Sequence, residues 1–368
     1  MQRVIVNGAN GYVASHFVNE MLENGYKVVA LVRETADLTS EQRMKKALKK
    51  INPRADFKNL DVFNYSLLGK NYSLNSQQLG EIFKDDADFF HFAASLKFKS
   101  RDKDEIFKTN VEGAENTLKV FTDNATSSSR FFYISTVYSC GKISEPFKED
   151  FYENEGISNF RNYYEQSKRY AENLLKTYIE RENLNAHIVR LSQVVGHNKT
   201  GETKTNYGVF DFVQKIQKFS SHYPNEKIRI KVNPDATQNL IPIDNVVAWL
   251  MKLLTRKDFP VILNFAGRKS VTNNEIAHIV NKVLPVEVIQ QKDLEKKDLN
   301  RLERIVASGM SFTGVYTDTN LEFDTKNLEK TVSPNGYEVT PESLHKMISY
   351  FVDQQAEHNR KAQKSLSK

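Results

Sequence analysis

Val4-Ile5-Val6-Asn7-Gly8-Ala9-Asn10-Gly11-Tyr12-Val13-Ala14 joins a short apolar run to a helical pattern continuing through Phe17, Val18, Met21 and Leu22. The apolar run predicts a buried strand, and the 3.6-residue spacing after it predicts a helix. Between them stands Gly8-x-x-Gly11-x-x-Ala14. Gly8 permits a tight turn, Gly11 lets the backbone approach a phosphate, and Ala14 is small enough for the helix to pack on a sheet. The helix N-terminus favours anionic oxygens. A bare glycine pattern says little, but strand, glycine turn and helix in this order predict a dinucleotide-binding unit.

Working outward, Lys27 to Val32 predicts a second strand, ended by Arg33. An acid there would bind the ribose 2′-hydroxyl of NAD, whereas an arginine suits the 2′-phosphate of NADP. Arg43, early on the next helical stretch, offers a second contact, and the reading favours NADPH over NADH. The alternative is an ordinary strand-end arginine with Glu34 serving the ribose. Ala55 to Leu60 predicts a strand ending at Asp61-Val62, an acid–apolar pair that could frame the adenine. Further strands are expected at Ala87–Phe92, running into Ala93-Ala94-Ser95, at Arg130–Ile134, ending in Ser135-Thr136, and at Ala186–Leu191. A helix from about 104 to 123 carries Asn110. Strands apolar on both faces and alternating with helices argue for an α/β protein with a doubly wound parallel sheet.

Beyond Leu191 the rhythm loosens. The stretch 196–208 is a Gly/Thr/Asn-rich loop, long enough to be a substrate lid. A helix through Phe210, Val213 and Ile216, a strand at Ile228–Val232 and a helix from about 245 to 254 follow. Val261–Phe265 reads as a strand returning to the sheet, and helices are expected at Asn273–Val283 and Pro341–Gln354. Residues 1–192 and about 238–265 therefore form one expected domain, and about 193–237 with 266–353 a smaller cap. The polar stretch 354–368 is expected to fray.

Composition sets the outer bounds. Hydrophobic residues at 39% and charged residues at 27% describe a globular protein, and no apolar run approaches the roughly 20 residues that span a bilayer. The strand pattern starts at once, which leaves no room for a signal peptide. Cys140 is the single cysteine, so an intrachain disulfide and a cysteine-cluster metal site are excluded, and a reducing cytoplasm is the expected location. A net charge of +6 over 368 residues, with both signs interleaved, describes a solvated surface and no nucleic-acid-binding module.

The candidate chemistry lies in Asn162-Tyr163-Tyr164-Glu165-Gln166-Ser167-Lys168. Tyr164 and Lys168 are four residues apart and share a helix face. An ammonium beside a phenol lowers its pKa, making a proton-transfer pair. Ligands of a parallel sheet bind at the carboxyl ends of its strands, where Arg33, Ala93-Ala94 and Ser135-Thr136 all lie. A hydroxyl from Thr136, or from Ser135 one residue earlier, would then hold a carbonyl beside Tyr164. Tyr163 stands about 100° round the helix and is out of register. His91 reads as a packed strand residue. No His or acidic spacing suits a metal. Cys140 lacks a histidine nearby in sequence to activate it as a nucleophile. The run Lys97-Phe98-Lys99-Ser100-Arg101-Asp102-Lys103 reads either as a solvated loop or as a dock for coenzyme A phosphates or an acidic carrier protein.

Taken together, Gly8-x-x-Gly11-x-x-Ala14, Asp61-Val62, His91-x-Ala93-Ala94, Asn110-Val111-x-Gly113, Ser135-Thr136 and Tyr164-x-x-Ser167-Lys168 resemble the extended short-chain dehydrogenase/reductases over about residues 1–265. Within them the chain looks most like the thioester reductase and fatty acyl-CoA reductase branch. That likeness rests on Leu31-Val32-Arg33, Tyr164-Glu165-Gln166-Ser167-Lys168-x3-Glu172, Leu240-Ile241-Pro242-Ile243-Asp244 and Phe323-Asp324-Thr325-x-Asn327. Leu191, where a proline is usual, and His197, where an acid is common, depart from it. The resemblance implies a Rossmann sheet with a smaller C-terminal substrate-binding cap. It implies Tyr164 as proton donor, Lys168 on the nicotinamide ribose, Thr136 or Ser135 on the carbonyl, and Asn110 propping a water or backbone link behind Lys168. Asn10, Tyr12, Val13, Ser95, Leu191 and Val194 join the implied cofactor contacts. The implied substrate is an acyl thioester, on coenzyme A or a carrier protein, reduced to aldehyde or alcohol by a monomer or homodimer. A ketone or aldehyde reductase or alcohol dehydrogenase is the rival, with a nucleotide-sugar epimerase or a non-catalytic NADP-binding scaffold behind it.

Overall fold

The computed structural model describes residues 3–309, 316–334 and 338–366. Its first half alternates strand and helix: β1 (Arg3–Asn7), α1 (Tyr12–Glu23), β2 (Lys27–Leu31), α2 (Ser40–Ile51), β3 (Leu60–Phe63), α3 (Ser76–Ile82), β4 (Ala87–His91), α4 (Lys103–Phe107), α5 (Gly113–Asn124), β5 (Arg130–Thr136), α6 (Tyr163–Glu182) and β6 (Ala186–Leu191). The second half contributes β7 (Gln193–Val195), α7 (Val209–His222), β8 (Glu226–Ile230), β9 (Thr237–Gln238), β10 (Leu240–Pro242), α8 (Ile243–Thr255), β11 (Ile262–Phe265), β12 (Val271–Thr272), α9 (Asn273–Val283), β13 (Val286–Gln290), α10 (Arg301–Gly309), α11 (Lys326–Val332) and α12 (Pro341–Leu366).

Seven strands form one sheet in the order β11-β6-β5-β4-β1-β2-β3, and every pairing is parallel. The order reverses at β1, so this is the doubly wound sheet that the alternation implied. Burial on both faces explains its apolar strands. In β4 and β5, Phe90 stacks on Phe132 at 4.3 Å on the face that meets Phe17 of α1. Phe89 and Phe131 pack with Leu118 and Phe121 of α5 on the other face. His91 follows Phe89, and Tyr133 follows Phe131, onto this second face because strand side chains alternate.

The chain divides into two compact units. One comprises Met1–Ser192, Val246–Ala266 and Phe323–Asn335; the other comprises Gln193–Asn245, Gly267–Glu322 and Gly336–Lys368. The segment from Phe323 thus packs with the sheet, where the sequence reading left it with the cap. The reason is Glu149, whose carboxylate accepts the backbone N–H groups of Asn264, Asn327 and Leu328, while Asn264 donates to the carbonyls of Phe147 and Asp324. The second unit has its own core, with Phe210, Val213 and Ile216 of α7, Ile279 and Val280 of α9, and Met347, Ile348 and Phe351 of α12. There β8 pairs in parallel with β13, a strand the sequence reading missed.

Three other expectations shift. The strand expected at 55–60 is a loop, and β3 begins at Leu60. Asn52 and Asp56 accept hydrogen bonds from the backbone N–H two residues on, which turns the chain there. The strand expected at 228–232 starts two residues earlier. The stretch after Gln354 continues α12 as far as Leu366, in keeping with the helix propensity of its Gln, Glu, Ala, Lys and Arg residues.

Candidate active site

The glycine turn is built from Asn7. Its Oδ1 accepts the N–H groups of Phe92 and Ala93, at 3.0 and 3.1 Å, clamping the loop after β4 beside the turn. Gly8 follows with φ of +63°, and a Cβ there would lie 2.8 Å from the Ala93 nitrogen. Only glycine fits this approach. Gly11 is the N-cap of α1 and no side chain caps that helix, which begins at Tyr12 and Val13 directly after Asn10 and Gly11. Backbone donors at a helix start suit a pyrophosphate. Arg33 follows β2, and the Arg43 guanidinium of α2 donates to its carbonyl, so the two predicted arginines meet. These residues fit a dinucleotide of the NAD(P) type. Asp61 and Val62 lie on edge strand β3, level with Val29 and Ala30, and Asp61 pairs with Lys27 at 3.6 Å. Leu191 ends β6, where its carbonyl accepts from Thr136; Val194 lies in the second unit, in register with Ile241.

Helix α6 starts at an Asn162 cap, whose side chain accepts from the Glu165 N–H. In its first turn, Tyr164 is half-buried and meets Phe98 edge-on at 5.2 Å. Tyr163 turns instead toward Phe107 and Lys103 of α4, as its position round the helix requires. Lys168 is 2% exposed, donates to the Ile134 carbonyl at 2.7 Å, and lies 4.2 Å from the centre of the Tyr133 ring. Burial lowers the Lys168 ammonium to about 7, against the opposing pull of Glu172. The expectation that Lys168 lowers the Tyr164 phenol is corrected here: burial raises it, and Glu165 adds to the rise. Burial disfavours the charged phenolate and so holds the proton on Tyr164.

Asn110 sits in a π-helical stretch, Lys108–Glu112, between α4 and α5. Its amide is used on protein groups: Oδ1 accepts from the Ser95 N–H at 2.7 Å, and Nδ2 donates to the Ser95 carbonyl and to Ser167 Oγ. The chain of bonds from Asn110 runs through Ser167 Oγ, which donates to the Tyr164 carbonyl, while Lys168 bonds separately to Ile134. Ser135 and Thr136 part company. The Ser135 hydroxyl donates to Glu172, which also takes Ser139 and both nitrogens of a forked contact from Arg190. Thr136 Oγ1 accepts from the Tyr138 N–H and donates to the Leu191 carbonyl, at the strand end. Burial pushes the Cys140 thiol up to about 12, which leaves little thiolate for attack. In the basic loop, Lys97 pairs with Glu105 at 2.5 Å and Lys103 covers Tyr163, leaving Lys99 and Arg101 exposed. Among the described residues no cluster of His, Cys, Asp and Glu could hold a metal, and no helix is long and apolar enough to cross a membrane.

Sequence reasoning missed Asn7 and the positioning role of Glu172. Asn7 stood inside the glycine stretch, but its partners are some 85 residues away. Glu172 carries a signal in the sequence, one turn beyond Lys168 on the same face, but its partners Ser135, Ser139 and Arg190 lie on other elements.

The family model described as male sterility protein matches residues 6–250. Aldehyde reductase 2 of Sporidiobolus salmonicolor is 30% identical over 152 residues, which is 41% of this chain and 40% of that protein. The terminal R domain from the myxalamid PKS-NRPS biosynthetic pathway superposes with a TM-score of 0.75 at 18% identity, covering 96% of this chain and 91% of that one. A thiolation-reductase di-domain from an archaeal non-ribosomal peptide synthetase superposes at 0.76 and 15% identity, covering 96% and 76%. The two superpositions establish a shared fold, and the family match extends over the glycine turn, Thr136, Tyr164 and Lys168. The chain belongs to the male sterility protein family, a group of NAD(P)-dependent oxidoreductases of the extended short-chain dehydrogenase/reductase type.

Proposed function

We propose that this protein is an NADPH-dependent reductase of an acyl thioester, on coenzyme A or a carrier protein, giving aldehyde or alcohol. The observation that carries the reading is a phenol, Tyr164, four residues before the buried Lys168 on one helix beside a dinucleotide-type sheet. A bound NADPH supplies the hydride. Arg33 and Arg43 hold the 2′-phosphate, and the Gly8–Gly11 turn holds the pyrophosphate. Tyr164, kept protonated by burial, is suited to give a proton to the carbonyl oxygen as negative charge develops there. Thr136, whose hydroxyl is not tied to the Glu172 carboxylate, donates to the same oxygen by turning its one proton away from the Leu191 carbonyl. Lys168 stands behind Tyr164 as the ammonium that steadies the departing phenolate. With a thioester, the resulting hemithioacetal collapses to aldehyde and free thiol, and a second round gives alcohol.

The thioester reading draws support from the sequence likeness around Tyr164–Glu172 and from the fold shared with reductase domains of carrier-linked assembly lines. The apolar Phe98 beside Tyr164 suits an acyl group, and Lys99 and Arg101 nearby suit an anionic carrier or nucleotide. The test is absorbance loss at the NADPH band with a panel of acyl-CoAs, aldehydes and ketones. Oxidation with thioesters is expected. Oxidation with free carbonyls alone would replace this reading by a ketone or aldehyde reductase, and silence throughout would leave a scaffold. Tyr164→Phe should abolish turnover and leave NADPH affinity within about twofold; a loss of NADPH binding instead removes Tyr164 from the role of acid.

A further inference from the structure

The loop after β3 takes a costly backbone. Asn71, Tyr72 and Ser73 follow one another at φ of 51°, 59° and 57°, in the left-handed region. Six described residues other than glycine lie there, and these three are the only consecutive ones. Asn tolerates that region through its short polar side chain, but for a bulky tyrosine it is a genuine outlier. Asn71 and Ser73 are exposed, whereas Tyr72 between them is fully buried. Strain of this kind persists only where the surroundings impose it, and it clusters at functional sites.

What Tyr72 reaches is Asn7, the residue that builds the glycine turn. The Asn7 amide nitrogen donates to the Tyr72 oxygen at 3.3 Å. The Tyr72 hydroxyl also bonds Thr117 of α5, and Thr117 gives its own proton to the Gly113 carbonyl at 2.7 Å. The Tyr72 proton therefore goes to Thr117 Oγ1. Each bond between β1 and α5 then has one direction, from Asn7 to Tyr72, to Thr117, to Gly113. The neighbouring residues of the loop touch the same turn and its surroundings. The Tyr65 hydroxyl bonds the backbone of Gly8, and its ring meets Tyr72 edge-on at 5.1 Å. Asn64 Oδ1 accepts the Glu34 N–H at 3.1 Å, directly after Arg33. On the far side Asn116 donates to the Leu67 and Gly69 carbonyls and ties the loop to α5.

We propose that Tyr72 is a cofactor-positioning residue, which holds the Asn7 amide so that the glycine turn is already set for the adenosine-diphosphate half of the dinucleotide. The single Asn7 carbonyl oxygen takes the N–H groups of Phe92 and Ala93. Keeping it there needs an acceptor for the amide nitrogen, and Tyr72 supplies one. An amide free to turn would set N–H against N–H and release the loop after β4, and with it the close approach of Gly8 to Ala93. Tyr72 is buried and acts through Asn7. The inference rests on the dinucleotide binding of the family and not on the thioester reading.

Tyr72→Phe keeps the ring and removes the hydroxyl. If the competent turn falls to about one molecule in ten, Kd for the dinucleotide rises about tenfold, because binding must first restore the turn. The test is a fluorescence titration with NADPH or NADH, whichever wild type binds more tightly, and competition by the ADP-ribose portion of that cofactor. Both ligands should lose the same factor, since Gly8 and the Arg33–Glu34 corner serve their common half. A hydroxyl that matters only for packing would lower the denaturation midpoint and leave both Kd values within about twofold; that result overturns the proposal. So does a loss that the ADP-ribose portion does not share. Thr117→Val, which removes the acceptor of the Tyr72 proton, should weaken both ligands about threefold. It decides the matter if Tyr72→Phe does not fold, and unchanged affinities there overturn the role. If the dinucleotide binds but no thioester is reduced, the function proposed above fails and these affinities still decide Tyr72. A wild type that binds neither dinucleotide overturns the inference itself.

Discussion

Lys168 shows how far a single residue can be pressed by its surroundings. Its ammonium is lowered from the usual 10.5 to about 7 because burial removes water that one carbonyl and one aromatic ring do not replace. Between those values the unfolded chain binds the proton more readily than the folded one. The penalty is therefore full below about pH 7 and fades as pH rises toward 10.5. Lys168→Met should raise the unfolding free energy at pH 6 by about 1–4 kcal/mol, with the gain shrinking at pH 9.5, while turnover is lost. Denaturant titration at the two pH values checks this, and a gain that grows with pH contradicts it. The Tyr164–Lys168 pair was legible because a spacing of four residues is a local property of a helix. The direction of the Tyr164 shift was not, since burial is decided by Phe98 and other residues distant in sequence. Asn7 and His91 were hidden for the same reason, their 2.8 Å contact joining strands 84 residues apart.

At the scale of elements, periodicity located most helices and strands, and departures came where side chains redirect the backbone. Loop 52–59 turns on Asn52 and Asp56, which moved β3 to Leu60. The π-helical stretch Lys108–Glu112 has no periodic signature, yet it sets Asn110 against both Ser95 and Ser167. The loop after β4 is pinned on one side by Asn110 and on the other by the Lys97–Glu105 pair, which leaves Lys99 and Arg101 as its free charges. Reversing both, Lys99→Glu with Arg101→Glu, should raise KM for a coenzyme A or carrier thioester about tenfold at low salt, with the effect reduced at high salt. KM for a small uncharged aldehyde should hold. An equal rise for both substrates would point to a distorted loop instead of a lost docking charge.

For the whole molecule, the division into two units was partly readable. The parallel sheet follows from the strand pattern, but the return of Phe323–Asn335 to it depends on Glu149, an unremarkable loop acid in the sequence. Glu149→Ala would leave the N–H groups of Asn264, Asn327 and Leu328 without their acceptor. A loss on the order of 2–3 kcal/mol in unfolding free energy is expected; a change below about 0.5 kcal/mol would show that water replaces the carboxylate there.

Glu149 also imposes a timetable. Its partner Asn327 is 178 residues further along the chain. At a synthesis rate of roughly 5–20 residues per second, the carboxylate waits on the order of ten seconds or more for that partner. Strand β11 and helix α11 emerge only late, so the edge of β6 that β11 covers stands open meanwhile as a template for other strands. The nascent protein thus holds a nearly finished nucleotide fold with one unguarded edge, and its yield in the cell should depend on whatever shields that edge until residues 262–265 emerge to cover it.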